Sequence, residues 1–303
     1  MRGVIVAKTN DPAWNEARSS GIGASEAAAA CGLSEYETPL HIYFKKRGEL
    51  PESEETQSMR LGRRLEPIVV EEFATATGLA IGKYPVEMLR HEEYSFVLAT
   101  PDAWLANQEL LEAKTTSWMM AKKLGEEGSD AIPTEWLMQV QQQMAVTGAE
   151  RAHVAVLLDG RTLKTFVVER HQTLIERIIA VEAELWERIQ DGDPPEPTWS
   201  HSRTPELIRQ LHRGIEPGKI VALTDDIRSA WERYEALGKS AKEIDEQREA
   251  EKARVLAHIG DAEAGDLGDG FVIRRRVIEK APYLVTPKAY IDVRKIKLEK
   301  MKY

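Results

Sequence analysis

The sequence predicts an α/β (α+β) fold: a mixed central β-sheet flanked by helices, followed by a helical C-terminal extension. Three observations carry this. Helical spacing dominates up to Thr77, and two-residue alternation takes over from about Ile81. A helix pair, a hairpin and a closing helix then follow. A proline-rich stretch at 192–199, GDPPEPTW, reads as a linker into one long amphipathic helix. The 303 residues, 42% of them hydrophobic, suffice for a sizeable core and a second unit. The expected division is residues 1–198 for the core domain and 199–303 for the extension.

Asp11-Pro12 reads as an N-cap with proline at the first helical position, opening a short helix through Arg18. RSSGIGASEAAAACG gives a glycine turn, with Ser25 capping a second helix that Gly32 stops. Thr38-Pro39 repeats the cap signal for a helix running to Gly48, and PESEET at 51–56 is an acidic loop. Gln57 to Thr77 has helical spacing, with Leu61, Leu65, Ile68/Val69 and Phe73 on one side. Pro67 either sits where its missing N–H does not matter or kinks this helix beside Glu66.

GKYPVEMLRH, SFVLATPDAWL and ELLEAKTT read as three strands, the last two joined at Asn107-Gln108. Two helices follow, SWMMAKKLGEE and TEWLMQVQQQMAVTG, the second capped by Thr134 and stopped by Gly148. AHVAVLL, the turn Asp159-Gly160-Arg161 and TLKTFVVE form a hairpin, and a helix from about His171 to Asp191 closes this part. Beyond the linker, Ile227, Trp231, Tyr234, Leu237, Ala241 and Ile244 mark one stripe of the long helix. FVIRRRVIE and YIDVRKI are β-like.

A single cysteine, Cys31, excludes a disulfide framework and a Cys-rich zinc site, and its AAAACGL setting suits a small buried hydrophobe. No secretory signal opens the chain, and no apolar run reaches the roughly 18 residues of a membrane span. The expectation is a soluble, cytoplasmic protein. The seven histidines lack metal-ligand spacing, and zinc-peptidase and serine-hydrolase motifs do not occur. Trp118, Trp136 and Met144 read as core residues. The net charge of −9 is unevenly spread: residues 1–198 carry 20 Lys+Arg against 32 Asp+Glu, whereas residues 271–303 carry 10 against 3. The basic end suits either a solubilising tail or a contact to phosphates.

The chemistry concentrates in ATPDAWLANQELLEAK at 99–114. In a strand–turn–strand, Asp102 and Glu112 can meet across the ladder. Glu112 and Lys114, two apart, project to one face while Ala113 points the other way. Two carboxylates and the Ala113 carbonyl make a hard-oxygen set suited to Mg²⁺ or Mn²⁺. Lys114 beside them could orient or deprotonate a water, or neutralise a phosphate. Glu66 could add a third carboxylate and allow a second ion. The same residues would also suit the solvated face of an ordinary β-ribbon.

Pro-Asp followed by E-x-K resembles the active-site signature of the PD-(D/E)XK nuclease superfamily. Four stretches together resemble the YqaJ-type viral recombinases, to which phage lambda exonuclease is related: RSSGIGASEAAAACGLSEYETP, MRLGRRLEPIVVEEF, ATPDAWL with LLEAKTT, and IPTEWLMQVQQQMAVTGAERAHVAVL. They cover most of residues 14–190. The resemblance implies a PD-(D/E)XK nuclease core with Asp102, Glu112, the Ala113 carbonyl and Glu66 as metal ligands. Lys114 would position or activate water, and Gln139 would match a glutamine of the following helix, with Gln141 not excluded. A 5′-phosphate pocket would use Arg18, Ser25 and Thr100, and Arg63 flanking Glu66 is a further phosphate contact. The implied activity is Mg²⁺-dependent 5′-to-3′ digestion of linear double-stranded DNA in a phage- or prophage-encoded recombination system. It would work with a single-strand annealing protein, in a homo-oligomer built as a trimeric ring. An endonuclease of the same superfamily, or a non-catalytic DNA-binding subunit, are the alternatives.

Overall fold

The computed structural model describes residues 3–8, 12–50, 55–268 and 270–278. Asp11, part of the acidic loop and the YIDVRKI stretch lie outside them. The chain divides into two compact units, Met1–Arg213 and Gly214–Tyr303.

The first unit begins with β1 (Val4–Ala7), α1 (Trp14–Ser19), β2 (Ile22–Gly23), a 3-10 turn at Ala24–Glu26 and α2 (Ala27–Ala30). Ser25 therefore lies inside the turn and does not cap the helix as expected: Gly23 precedes the turn, and its N–H donates to Glu26 Oε2 at 2.8 Å. Next comes α3 (Pro39–Lys46), where the Thr38 N–H donates to His41 Nδ1 at 3.0 Å. The helix α4 (Gln57–Thr77) has the expected limits, capped by Thr56 and ended by left-handed Gly78.

The inward face of α4 is narrower than the expected apolar side. Val69, Val70 and Phe73 are buried, whereas Leu61 and Ile68 are exposed and Leu65 is half-buried. Pro67 sits inside this helix.

Each of the two strands expected before Asn107 is split at a proline, which has no N–H for a ladder. The first becomes β3 (Ile81–Lys83) and β4 (Met88–Arg90), either side of a cis Tyr84–Pro85 bond. The second becomes β5 (Val97–Ala99) and β6 (Ala103–Leu105), with Thr100-Pro101-Asp102 between them. These halves join different sheets. One sheet has the order β1-β4-β5-β2; the other is β3-β6-β7-β8-β9, with β7 (Leu110–Thr116), β8 (Arg151–Leu158) and β9 (Thr162–Glu169). Asp102 thus stands at the crossover between sheets.

The five-stranded sheet is mixed, β7 and β8 running parallel and the other neighbours antiparallel. Its two faces follow the two-residue period. Leu110, Val154 and Val156 pack on Val140 and Met144 of α5 (Thr134–Thr147) and Ile175 of α6 (Gln172–Asp191). Leu111, Ala155 and Leu157 pack on Val69, Val70 and Phe73 of α4. Helices therefore cover both faces.

The segment expected as a helix at 117–127 forms only a 3-10 turn, Met120–Lys123. Trp118, expected in the core, is half exposed, whereas Met144 is fully buried and Trp136 packs on the core. The helix α5 starts at Thr134 itself, with Pro133 as the residue before it. Beyond the proline stretch, α7 (Thr204–Leu211) buries Thr204 and Leu207, so the first unit continues past the expected boundary at 198.

The second unit contains α8 (Asp225–Ile259), 35 residues long, and the pair β10 (Ala264–Asp266) and β11 (Val272–Arg274). No residue of α8 is buried, and Ile227, Tyr234, Leu237 and Ile244 of the expected stripe are exposed. Among the described residues, no helix is long and apolar enough to cross a membrane.

Candidate active site

Strand β7 carries the centre of the site. Glu112 and Lys114 share a face, and Lys114 Nζ lies 2.6 Å from Glu112 Oε1. Gln139 of α5 joins both, accepting from Lys114 Nζ at 2.9 Å and donating to Glu112 Oε1 at 2.5 Å. Ala113 turns its methyl to the α4 side, and its N–H donates to Asp102 Oδ2 at 2.7 Å across the β6–β7 hairpin. On α4, Glu66 Oε1 accepts from the Tyr84 hydroxyl at 3.3 Å.

The electrostatics tie these groups into one cluster. Burial, then the charges of Glu112 and Glu66, push the Asp102 carboxyl well above the usual aspartate range, against Lys114 and the Ala113 N–H. Burial also raises Glu66; the Tyr84 hydroxyl opposes this and Glu112 adds to it. Burial pulls Lys114 down, but Glu112, Asp102 and Glu66 outweigh it and hold the ammonium above its ordinary value. Lys114 is therefore a firm cation that donates hydrogen bonds. Tyr84, desolvated and facing Glu66, is pushed up to about 12 and stays a neutral hydroxyl.

Two residues were not singled out from the sequence. Gln143 is fully buried and donates to Glu112 Oε2 at 2.7 Å, so the two glutamines take one oxygen of Glu112 each. A signal existed: Gln139 and Gln143 are four apart and share a helix face. Gln141, by contrast, points away. Its amide donates to the Glu169 carbonyl and accepts from the His171 N–H, so it ties α5 to the start of α6 and is absent from the cluster. Tyr84, next to proline in an apparent strand, had no local signal.

Replacing Gln143 by leucine should lower kcat by roughly 10- to 100-fold, because it frees one Glu112 oxygen from its donor. Steady-state kinetics with the fold checked by circular dichroism would measure this.

Among the described residues, no three His, Cys, Asp or Glu side chains converge on a point that could hold a metal. The carboxylates instead take protein donors: Asp102 the Ala113 N–H, Glu112 both glutamines and Lys114, Glu66 the tyrosine. The donor set nevertheless fits a hard divalent cation. Three mutually repelling carboxylates are balanced by one lysine, and their repulsion adds to burial in raising Asp102.

The other expected residues lie elsewhere. Arg63 is exposed and pairs with Glu55, not with the cluster. Arg18 and Ser25 are exposed on the first segment, and Thr100 is half-buried just before Pro101-Asp102. The parallel pairing of β2 with β5 matches Ile22 to Val97 and Gly23 to Leu98, so Ser25 and Thr100 each stand two residues beyond the same pair. Gln142 of α5 ties the two strands together, donating to the carbonyl of Ile22 on β2 and to that of Leu98 on β5. Cys31 has its thiol pushed up to about 12 by burial and by Glu182, which disfavours the thiolate.

A protein of Bacillus subtilis (strain 168), described as uncharacterized protein YqaJ, is 30% identical over 276 residues, 88% of this chain and 85% of its own. The chain belongs to the YqaJ family. The profile described as the YqaJ-like viral recombinase domain matches residues 13–150, a span holding Glu66, Asp102, Glu112, Lys114 and both glutamines. Among solved structures, an alkaline exonuclease from Laribacter hongkongensis, LHK-Exo, superimposes with a TM-score of 0.50. It has 18% identity and covers 67% of this chain and 99% of that one. The same enzyme in complex with dAMP gives a TM-score of 0.49 at 21% identity, over 60% and 95%. The YqaJ-family chain therefore has the mixed α/β fold of the alkaline exonucleases.

Proposed function

We propose that this chain is a metal-dependent exonuclease that digests linear double-stranded DNA from the 5′ end and leaves a 3′ single strand for recombination. The observation that carries the reading is the Asp102–Ala113–Glu112–Lys114 arrangement on one hairpin, with Glu66 facing it and Gln139 and Gln143 fixing Glu112. Membership of the YqaJ family and the exonuclease-like fold support it.

Asp102, Glu112, the Ala113 carbonyl and Glu66 would hold Mg²⁺, or Mn²⁺ in its place, as one or two ions. A bound ion supplies a Lewis acid that lowers the pKa of water and stabilises the leaving oxygen. The chain's own residues do the rest. Lys114, a held ammonium, donates to the water or to the scissile phosphate and orients it. Gln139 and Gln143 fix the direction of the Glu112 carboxylate, and the Tyr84 hydroxyl fixes that of Glu66. Arg18, Ser25 and Thr100 would bind the 5′-phosphate, Arg18 by a bidentate contact.

In this reading the partners are a 5′-phosphorylated duplex end and a single-strand annealing protein. The enzyme works as a homo-oligomeric ring in the cytoplasm of a bacterial host. A ring retains DNA by closure, which offsets the chain's net charge of −9.

The test is digestion in Mg²⁺ of linear duplex labelled at either the 5′ or the 3′ end, beside closed circular duplex. Early release of the 5′ label with the circle intact is the expected result. Cutting of the circle would make the chain an endonuclease, and early release of the 3′ label would reverse the polarity.

A further inference from the structure

Among the described residues, the most deeply buried ion pair lies outside the catalytic cluster. Lys46 Nζ, at the end of α3, is 2.7 Å from Glu26 Oε2, with the two side chains 4% and 8% exposed. The same ammonium donates to the Arg18 carbonyl at 2.9 Å, and the same carboxylate oxygen accepts from the Gly23 N–H at 2.8 Å. Two buried charges thus grip both ends of the segment 18–26. Taking charges out of water is costly, and the gain here is a fixed backbone.

The middle of the segment is equally constrained. Ile22 N–H donates to the Phe96 carbonyl at 2.6 Å, and a Cβ on Gly21 would fall 2.5 Å from that carbonyl oxygen. Only glycine allows the backbone so close. The segment leaves Arg18, Ser19, Ser20 and Ser25 exposed; the Ser19 and Ser20 hydroxyls are taken by the Asn15 and Ala17 carbonyls, and Arg18 and Ser25 are the two assigned to the 5′-phosphate.

We propose that Lys46 and Glu26 are positioning residues for 5′-end recognition: the buried pair sets the spacing of Arg18 and Ser25 without touching DNA. This rests on the end-recognition reading above. Lys46 is not available to the phosphate itself, being buried and committed to Glu26 and the Arg18 carbonyl.

The experiment compares kcat/KM on linear duplex bearing a 5′-phosphate or a 5′-hydroxyl, in Mg²⁺, for wild type, Lys46→Met, Glu26→Gln and Arg18→Ala. Lys46→Met should lower the phosphate-to-hydroxyl ratio by about tenfold or more, towards that of Arg18→Ala, because small misplacements of binding groups have large effects on rate. Glu26→Gln keeps an acceptor for Gly23 and should lower the ratio less; it decides the matter if Lys46→Met does not fold. A wild type without phosphate preference would overturn the end-recognition reading itself. Should the wild type prefer phosphate while both variants keep its ratio, the positioning role is wrong and the reading stands. Equal loss on both substrates would also overturn that role, since it would mark the pair as structural only.

Discussion

Lys114→Ala is expected to lower kcat on linear duplex DNA by roughly 100- to 10,000-fold, the usual range for a group acting on the proton or charge of the reacting water. Asp102→Asn should be comparably inactive, and stability separates the two. Lys114 partners buried Glu112 at 2.6 Å and is the cation that offsets Asp102 and Glu66. Its removal should destabilise the cation-free protein by about 3–5 kcal/mol, as for other broken buried pairs. Added Mg²⁺ should restore part of that.

Asp102→Asn should do the opposite. The Asp102 carboxyl is raised on folding, so its stabilising contribution is complete below the unfolded pKa and is lost as pH rises through the folded one. At pH 8 the asparagine variant should be more stable than wild type. Urea melts at pH 8 with chelator test both. Two inactive variants shifted in the same direction would contradict the electrostatic account of the cluster.

Replacing Glu182 by leucine is expected to stabilise the first unit. Glu182 lies on α6 with no exposed surface, and among the described residues neither carboxyl oxygen has a hydrogen-bond partner. Burial, and then Glu26, push its carboxyl well above the glutamate range, with Lys46 opposing. An unsatisfied buried polar group costs about 1–3 kcal/mol, which sets the expected gain. The gain should grow as pH rises above the unfolded pKa. The wild-type carboxyl contributes fully only below its unfolded pKa of about 4.3, and its contribution is lost as pH rises through the raised folded value. Denaturation midpoints followed from about pH 4 upward would show the curves separating; curves parallel from there onward, or a less stable leucine variant, would contradict this.

Much of this architecture is legible in the chain because it depends on short-range periods. The two-residue alternation of LLEAKTT puts Glu112 and Lys114 on one face and Ala113 on the other, and the structure keeps that arrangement. The limits of α4 follow from Thr56, which accepts from the Met59 N–H, and from Gly78. Features that depend on tertiary context are harder to see. The periodicity of α4 cannot reveal that Val69 turns inward while Ile68 and Leu61 are left exposed. Pro85 and Pro101 redirect strands between two sheets, whereas hydrophobic alternation runs through both. Gln141 and Gln143 have the same composition signal, and only the helical angle separates a residue bonded to Glu112 from one bonded to Glu169. Ser25 looks like a cap because it precedes an alanine run, but the preceding glycine and Glu26 close that turn instead.

A metal-dependent nuclease centre at the hairpin cluster requires that nucleotide release depend on a divalent cation. That dependence is tested most directly by following nucleotide release from a 5′-phosphorylated linear duplex in Mg²⁺, with and without excess chelator. The expected result is steady release in Mg²⁺, abolished by chelator and recovered when Mg²⁺ or Mn²⁺ is returned. Release that persists in chelator, or no release with either ion, would contradict it.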